Sequence, residues 1–336
     1  MIFARRQAGS LRERGVRVSF FHLRSRTSPW QLVREWARFR RCLRRARPDL
    51  VHAHFGTVTA LFAAVAGRGG RPLVITYRGS DLNPAPRSAP LTEKARSLAG
   101  RLFSQLAALG AQRIVCVSRP LRERLWWRRS RVAILPSGVD ADVFRPEPQA
   151  RARRRLGWTG GERVILFNAG HDARIKRLDL ARAGAALAGA AIPRLRLEVL
   201  DGATPPDRMP ALMNAADCLL LTSDAEGSPT VVQEALACNL RVVSVDVGDA
   251  RERLRGVPGA RLAARDPADI ARALVDLLAV PGRGDGRRHL GEFSARRVAR
   301  ELDVIYRELC GRELCRPAGA PARRGSPRQM PKERHH

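Results

Sequence analysis

Short apolar runs alternate with longer stretches of helical periodicity along most of the chain. In the first half, Val16–Phe21, Leu50–His54, Leu73–Tyr77 and Arg113–Ser118 read as strands, with a helix between each pair. The run from Val132 ends in a turn at Pro136 and Gly138, and Phe144–Pro148 carries two prolines that mark a linker. A second series follows, with strands predicted at Arg163–Asn168, Arg196–Leu200, Cys218–Thr222 and Arg241–Val245. Its helices are predicted at Leu178–Ala190, Pro210–Ala215, Pro229–Ala237 and Pro267–Ala279, with a last helix at Ala295–Leu309. Beyond Gly311 the pattern stops, and the basic tail 311–336 is expected to be disordered.

Strand–helix alternation is the mark of parallel α/β architecture. Two such series predict two facing, doubly wound Rossmann-like domains. The amino-terminal one covers residues 1–138, joined by the helix at about 295–310, and the carboxyl-terminal one covers 139–294. Ligands of such sheets bind beyond the carboxyl ends of the strands. Neither half has a G-x-G-x-x-G opening a helix, which disfavours a nicotinamide dehydrogenase.

The length of 336 residues is enough for two cores, and 44% hydrophobic residues exclude a mostly disordered chain. No stretch reaches the length of a membrane span, and the amino terminus has no apolar signal core. A cytoplasmic protein is expected. The six cysteines are scattered without a C-x-x-C pair, which argues against zinc and against a disulfide framework.

The net charge is +30, from 62 basic and 32 acidic residues. The excess is almost all arginine, and a GC-rich coding bias would produce the same picture. One segment is more pointed: Trp30–Arg47 reads WQLVREWARFRRCLRRAR, with Trp30, Val33, Trp36 and Leu43 opposite Arg34, Arg38, Arg41 and Arg45. A basic amphipathic helix with aromatics suits an anionic membrane face; the alternative is a surface helix whose apolar stripe packs on a sheet. Only the charge speaks for nucleic acid, and no recognition signature accompanies it, so no nucleic-acid partner is expected.

The segment from Cys218 to Cys238 carries the clearest chemistry. A buried strand ends near Ser223, and Glu226 sits on the loop after it. Ser228 suits a helix N-cap and Pro229 a first helical residue, which places Glu234 inside the helix. Two carboxylates then bracket a helix amino terminus, a site suited to anions and sugar hydroxyls. Asp140 and Asp142 imitate a metal-binding D-x-D but fall in the linker, and His52 and His54 share a strand face without a carboxylate beside them. No metal site is expected.

This segment closely resembles the E-x7-E region of retaining glycosyltransferases of family 4, whose fold is GT-B. Other stretches agree in order. Pro48–Gly56 resembles that family's "PD-V-H-H" strand and Thr76–Leu82 its "HG-D" turn. Leu135–Pro146 is similar to its hinge signature, and Phe167–Leu180 to its donor-phosphate loop. The resemblance implies a nucleotide sugar on the second domain and an acceptor on the first. Glu226 would hold hydroxyls of the transferred sugar, helped by backbone N–H groups near Ser228, Pro229 and Thr230. Glu234 would take the ribose hydroxyls, Lys176 the diphosphate, with Gly170 in the same loop, and the base would lie near Asp201 and Gly202. Arg78, Gly79, Asp81 and His54 would line the acceptor side. No cofactor or metal is implied.

Three departures from the family pattern stand out. The donor loop's usual arginine falls at Gly170 or His171, with Arg174 the nearest substitute; the alternative is that Arg174 only decorates the loop. Arg78 replaces a histidine, so it binds an anion or pairs with a carboxylate such as Asp81, because arginine is no general base at neutral pH. The strand and Gly-rich loop that precede the family's first helix are not in the sequence, so the first sheet is expected to lack its initial strand, through a misassigned start or a natural truncation. The expectation is a retaining glycosyltransferase using a nucleotide-diphosphate donor and a glycan or lipid-linked acceptor, peripheral at an anionic membrane through Trp30–Arg47. The alternative is a decayed relative that binds a nucleotide, a carbohydrate or a polyanion.

Overall fold

The computed structural model describes residues 2–67, 69–86, 89–158 and 160–311. The expected disorder of the tail beyond Gly311 lies outside the described residues. Helix α1 spans Ile2–Arg12 and α2 spans Pro29–Ala46. Next come β1 (Val51–His54), α3 (Thr57–Ala66), β2 (Leu73–Tyr77), α4 (Leu91–Leu109), β3 (Arg113–Cys116), α5 (Arg119–Glu123) and β4 (Val132–Ile134). The second series holds α6 (Gln149–Leu156), β5 (Arg163–Gly170), α7 (Leu178–Gly189), β6 (Leu195–Asp201), α8 (Met209–Ala215) and β7 (Cys218–Leu221). It continues through α9 (Thr230–Ala237), β8 (Arg241–Val245), α10 (Ala250–Leu254), β9 (Ala260–Ala263), α11 (Pro267–Ala279) and α12 (Ala295–Cys310).

Both sheets are parallel. The first runs β1-β2-β3-β4 and the second β6-β5-β7-β8-β9. Alternation along the strands of the first sheet sends side chains to two covers. Ile75, Tyr77, Ile114 and Cys116 pack with Ala60, Ala63, Ala107 and Ala108 of α3 and α4. Val74 and Val115 pack instead with Leu11 of α1 and Val298, Leu302 and Tyr306 of α12. The last helix thus returns to the first sheet. The chain crosses between the two units twice, and the crossings pair: Val139 N–H donates to Phe293 O at 2.8 Å and Ala295 N–H to Val139 O at 2.8 Å. Gly138, at φ +74°, is needed there, since a Cβ would sit 3.0 Å from the Ala295 Cα.

One predicted strand is not formed. Residues 16–21 run without a ladder and β1 is an edge of its sheet. In place of a ladder, Val16 N–H donates to Leu11 O at 3.1 Å and Val18 O accepts from Arg12 Nη2 at 3.0 Å. The apolar side chains find other partners: Val16 and Val18 reach the α1–α12 cluster, while the Phe21 ring lies 4.8 Å from that of Phe39.

Part of the arginine excess is internal structure. Arg283 donates to the carbonyls of Met213, Asn214, Ala216 and Cys238. Arg287 ties Ala141 and Phe144 of the linker to Ala237 at the end of α9. Arg241, buried in β8, donates to the carbonyls of Leu277, Val280 and Gly282. A planar guanidinium with five donors satisfies the orphan carbonyls at helix ends and loops.

α12 is anchored by a polar contact as well as by its apolar face. The Tyr306 hydroxyl lies 2.5 Å from His52 Nδ1, and His52 Nε2 lies 2.7 Å from Thr76 Oγ1. Burial, reinforced by His54 and Arg78, pushes His52 well below the usual histidine range and keeps the ring neutral. Tyr306→Phe leaves a buried imidazole nitrogen without a partner, so it should cost about 1–3 kcal/mol and lower the melting temperature by several degrees. An unchanged melting temperature would contradict this anchoring role.

Candidate functional site

In the second sheet, β5 is followed by β6 on one side, and β7 then pairs on its other side. The loops after β5 and β7 diverge at this switch point, where an open α/β sheet offers a crevice. Lys176 comes from the first loop and Glu226 from the second. The β5 loop is fixed locally: Asp172 Oδ1 accepts from the Arg174 and Ile175 backbone N–H groups at 3.1 Å, and the Thr222 hydroxyl donates to the carbonyls of Lys176 and Arg177. Gly170 turns the strand end at φ +54° and lies close to the Lys176 side chain. Lys176 Nζ then meets Glu226 Oε1 at 2.5 Å, and Ser223 Oγ donates to the same oxygen at 2.8 Å. Both charges are mostly covered, with 28% and 14% of their side chains exposed.

Helix α9 starts one residue later than the sequence pattern predicts. Pro229 is the N-cap residue and Thr230 the first helical one. Ser228 does not cap the helix; its hydroxyl accepts from Gln233 Nε2 at 3.1 Å and from Arg253 Nη2 at 3.0 Å, which pulls it away from the free N–H groups. The amino end of α9 therefore has no side-chain cap, and a helix amino end carries N–H groups without helical partners and a partial positive charge. Glu234, one turn further in, is mostly covered, with 12% of its side chain exposed, and burial raises its carboxyl to about 7 against the opposing pull of Arg6.

The first unit closes over this site. Gly79 lies against Gly227, so that a Cβ on Gly227 would stand 1.8 Å from Arg78 O. Asn83 Nδ2 donates to Glu226 O at 3.0 Å, Arg174 Nη2 bonds Glu93 Oε2 at 2.8 Å, and Arg6 Nη1 lies 3.4 Å from Glu234 Oε1. The turn that presents Gly79 is built around Asp81. Its buried carboxylate accepts backbone N–H bonds from Gly56 at 3.0 Å, from Arg78 and from Gly79 at 2.8 Å. Burial pushes Asp81 up while these donors pull it down. The Asp81 carboxylate is thus bonded by backbone groups, whereas the Arg78 guanidinium goes to Ser137 Oγ at 3.0 Å, His54 Nδ1 at 3.3 Å and Gln7 Oε1 at 3.5 Å. His54 is held at about 3 by burial and then by Arg78, so it is a neutral ring lining the cleft.

The structure thus brings Lys176, Glu226, Glu234, Gly79 and Asp81 to one cleft. Arg174 turns outward to α4. Asp201 spends its carboxylate on its own turn, accepting from Ala203 N and Thr204 Oγ1. Gly202 is needed because the His171 ring covers it; a Cβ would lie 2.0 Å from His171 Nδ1. Sequence reasoning missed Arg6, Asn83 and His171 as site residues. Asn83 had a signal, two positions after Asp81; Arg6 had none, since its contact spans 228 positions. Asp140 folds back on its own turn, accepting from Asp142 N at 3.0 Å and Val143 N at 3.2 Å, and among the described residues no cluster of three or more His, Cys, Asp or Glu is placed to hold a metal ion. A cavity of about 360 Å³ lies at the opposite ends of β1 and β2, lined by Gly67, Arg71 and Gln112, away from this cleft.

Two parallel α/β units facing across a cleft, with the charged crevice on the second, define the GT-B class of proteins. Residues 1–143 match the profile described as Glycosyltransferase Family 4, and residues 172–280 match Glycosyl transferases group 1. The chain belongs to the family 4 glycosyltransferases. It is 28% identical over 309 residues to a D-inositol 3-phosphate glycosyltransferase of Thermobispora bispora, covering 79% of this chain and 72% of that one. Across the curated relatives the chain spans from 54% to 72% of their length. Its fold is similar to that of sucrose-phosphate synthase from Thermosynechococcus elongatus (TM-score 0.67, 18% identity, 83% of this chain and 78% of that one). It is also similar to Anabaena HepE in complex with UDP and glucose (TM-score 0.64, 17% identity, 90% and 89%).

Two outcomes follow. Gly227→Ala cannot keep the contact with Arg78 O, so the two units should separate, with a larger radius of gyration in solution scattering; an unchanged profile would contradict the backbone contact. For Glu234, a carboxyl raised to about 7 retains its proton in the folded state. Its ionisation therefore destabilises the fold as pH rises from the ordinary carboxylate range toward 7. Glu234→Gln should gain melting temperature over the native chain across that window and hold a constant advantage above it. Parallel curves throughout would contradict the raised value.

Proposed function

We propose that this chain transfers a sugar from a nucleoside-diphosphate donor to a glycan or lipid-linked acceptor with retention of anomeric configuration. The observation that carries the reading is the Lys176–Glu226 pair, seated at the switch point beside the open end of α9 and roofed by Gly79 and Asn83. In this reading the diphosphate lies against Lys176 and the α9 amino end, Glu226 takes hydroxyls of the sugar, and Glu234 takes the ribose hydroxyls in place of Arg6. The base lies near Asp201 and Gly202, beside His171.

The bond from the anomeric carbon to the phosphate oxygen breaks, a bond to the acceptor oxygen forms on the same face, and the acceptor proton passes to a phosphate oxygen. Negative charge grows on the leaving diphosphate, where Lys176 and the helix end act most strongly in the transition state. Retention follows from same-face attack. A double displacement would need a carboxylate placed to attack the anomeric carbon, and Glu226 Oε1 is already engaged by Lys176 and Ser223. Metal independence is part of the proposal, with Lys176 and the helix end in the place a metal would take. Arg78 adds positive charge on the acceptor side, which fits an anionic acceptor. HepE was solved with UDP, which supports a nucleotide on this fold.

No helix among the described residues is long and apolar enough to cross a membrane. On α2, Trp30 is 70% and Val33 63% exposed among Arg34, Arg41, Arg44 and Arg45, which supports contact with an anionic membrane face.

The test is a thermal-shift panel of UDP, GDP, ADP, CMP and dTDP. A ligand at a hundred times its dissociation constant adds about 2.7 kcal/mol, so one nucleoside diphosphate should raise the melting temperature and Glu234→Ala should abolish the rise. Lys176→Gln should lower kcat by about 10²–10³. No shift with any nucleotide would overturn the donor site, and a shift without turnover would leave the chain a nucleotide-binding relative.

A further inference from the structure

Helix α4 carries an apolar face that is left exposed among the described residues. Its inner side packs Ala107 and Ala108 into the first core, with Ser104 and Gln105 buried beside them. Its outer side shows Leu91, Leu98, Leu102, Leu106 and Leu109, exposed by 82%, 61%, 43%, 41% and 45%. At about 100° per residue these five fall within an arc of roughly 80°, so they form one stripe about 27 Å long. Lys94 and Arg101 line one border of the stripe. The helix starts at the cleft: Glu93 in its first turn bonds Arg174 of the donor loop at 2.8 Å.

We propose that the leucine face of α4 lies on an anionic lipid bilayer and sets the mouth of the cleft at the lipid surface. Charge selects this occupant. A second copy of the chain would bring +30 against +30 and place Lys94 and Arg101 near their own counterparts. The chain beyond residue 311 carries no apolar periodicity and the same sign of charge, so it does not fit an apolar stripe bordered by cations. An anionic bilayer satisfies both features, with leucines at the acyl boundary and basic side chains at the headgroups. α4 packs on α3, and α3 packs on α2. Helix α2, which carries Trp30 and Val33, therefore neighbours the same helical layer. The inference deepens the membrane contact proposed for α2 and does not depend on the transfer reaction.

The experiment is co-sedimentation of the full chain with vesicles of phosphatidylcholine, alone and mixed with phosphatidylglycerol. It compares the native protein, Leu98→Gln/Leu102→Gln on α4 and Trp30→Gln/Val33→Gln on α2. All these positions are exposed, and circular dichroism with the free melting temperature checks the fold. The native chain should bind the anionic vesicles and ignore neutral ones. The α4 variant should lose at least tenfold in partition while its nucleotide-induced thermal shift is unchanged. Loss in the α2 variant alone overturns the role of α4 and leaves the α2 contact standing. No binding by the native chain overturns both membrane contacts and leaves the donor site untouched. A dimer in sedimentation velocity that the α4 variant abolishes would assign the face to a second copy instead.

Discussion

The two halves of this protein meet through bare backbone. Gly79 and Gly227 stand so close that a Cβ on Gly227, 1.8 Å from Arg78 O, would force the cleft apart, and the contact holds Asn83 over the Glu226 carbonyl. Everything in the site depends on that approach. The Gly79 turn is kept in shape by Asp81, whose buried carboxylate gathers backbone N–H groups from two segments. The Gly227 loop is kept in shape by Ser223 and Lys176 from one side and by Arg253 through Ser228 from the other. A cleft formed this way is narrow, and its walls are donors and acceptors of fixed position. Such preorganisation lets charge act on a developing leaving group.

Charge is arranged with similar economy. Lys176 is paired with Glu226, and Arg6 lies against the Glu234 carboxyl, so each group a ligand would use has a partner in the free protein. The first pair is short and well covered; the second is a single long contact from the other unit. A ligand bearing both hydroxyls and phosphate can replace both, giving each carboxylate donors and each cation an anion. The large arginine excess is a separate matter. Arg241, Arg283 and Arg287 are spent on carbonyls inside the second unit and its linker, whereas Arg34, Arg41, Arg44 and Arg45 of α2 face outward.

Much of this was legible in the chain. Parallel strands buried on both faces read as unbroken apolar runs, which is why β2, β7 and β8 were placed within a residue or two, and the Glu226–Glu234 spacing located the head of α9. Periodicity cannot report whether a strand has a neighbour, so Val16–Phe21 read as a strand and is extended chain without a ladder. Ser228 had the chemistry of a cap, but Gln233 within α9 and Arg253, 25 positions on, take its hydroxyl. Arg174 sat in the loop where a phosphate cation was expected, yet Glu93 from the other unit draws it out. Arg6 gave no signal at all. The misses share one cause: each was decided by a contact between segments far apart in sequence.

The proposed transfer requires the crevice at the β5–β7 switch point to hold a nucleoside diphosphate. A crystal structure grown with the nucleoside diphosphate that shifts the melting temperature most would test this directly. Phosphate oxygens are expected within hydrogen-bond distance of Lys176 Nζ and of the first N–H groups of α9, with ribose hydroxyls on Glu234 and Arg6 displaced from it. A nucleotide bound elsewhere, with the Lys176–Glu226 and Arg6–Glu234 pairs both intact, would contradict it.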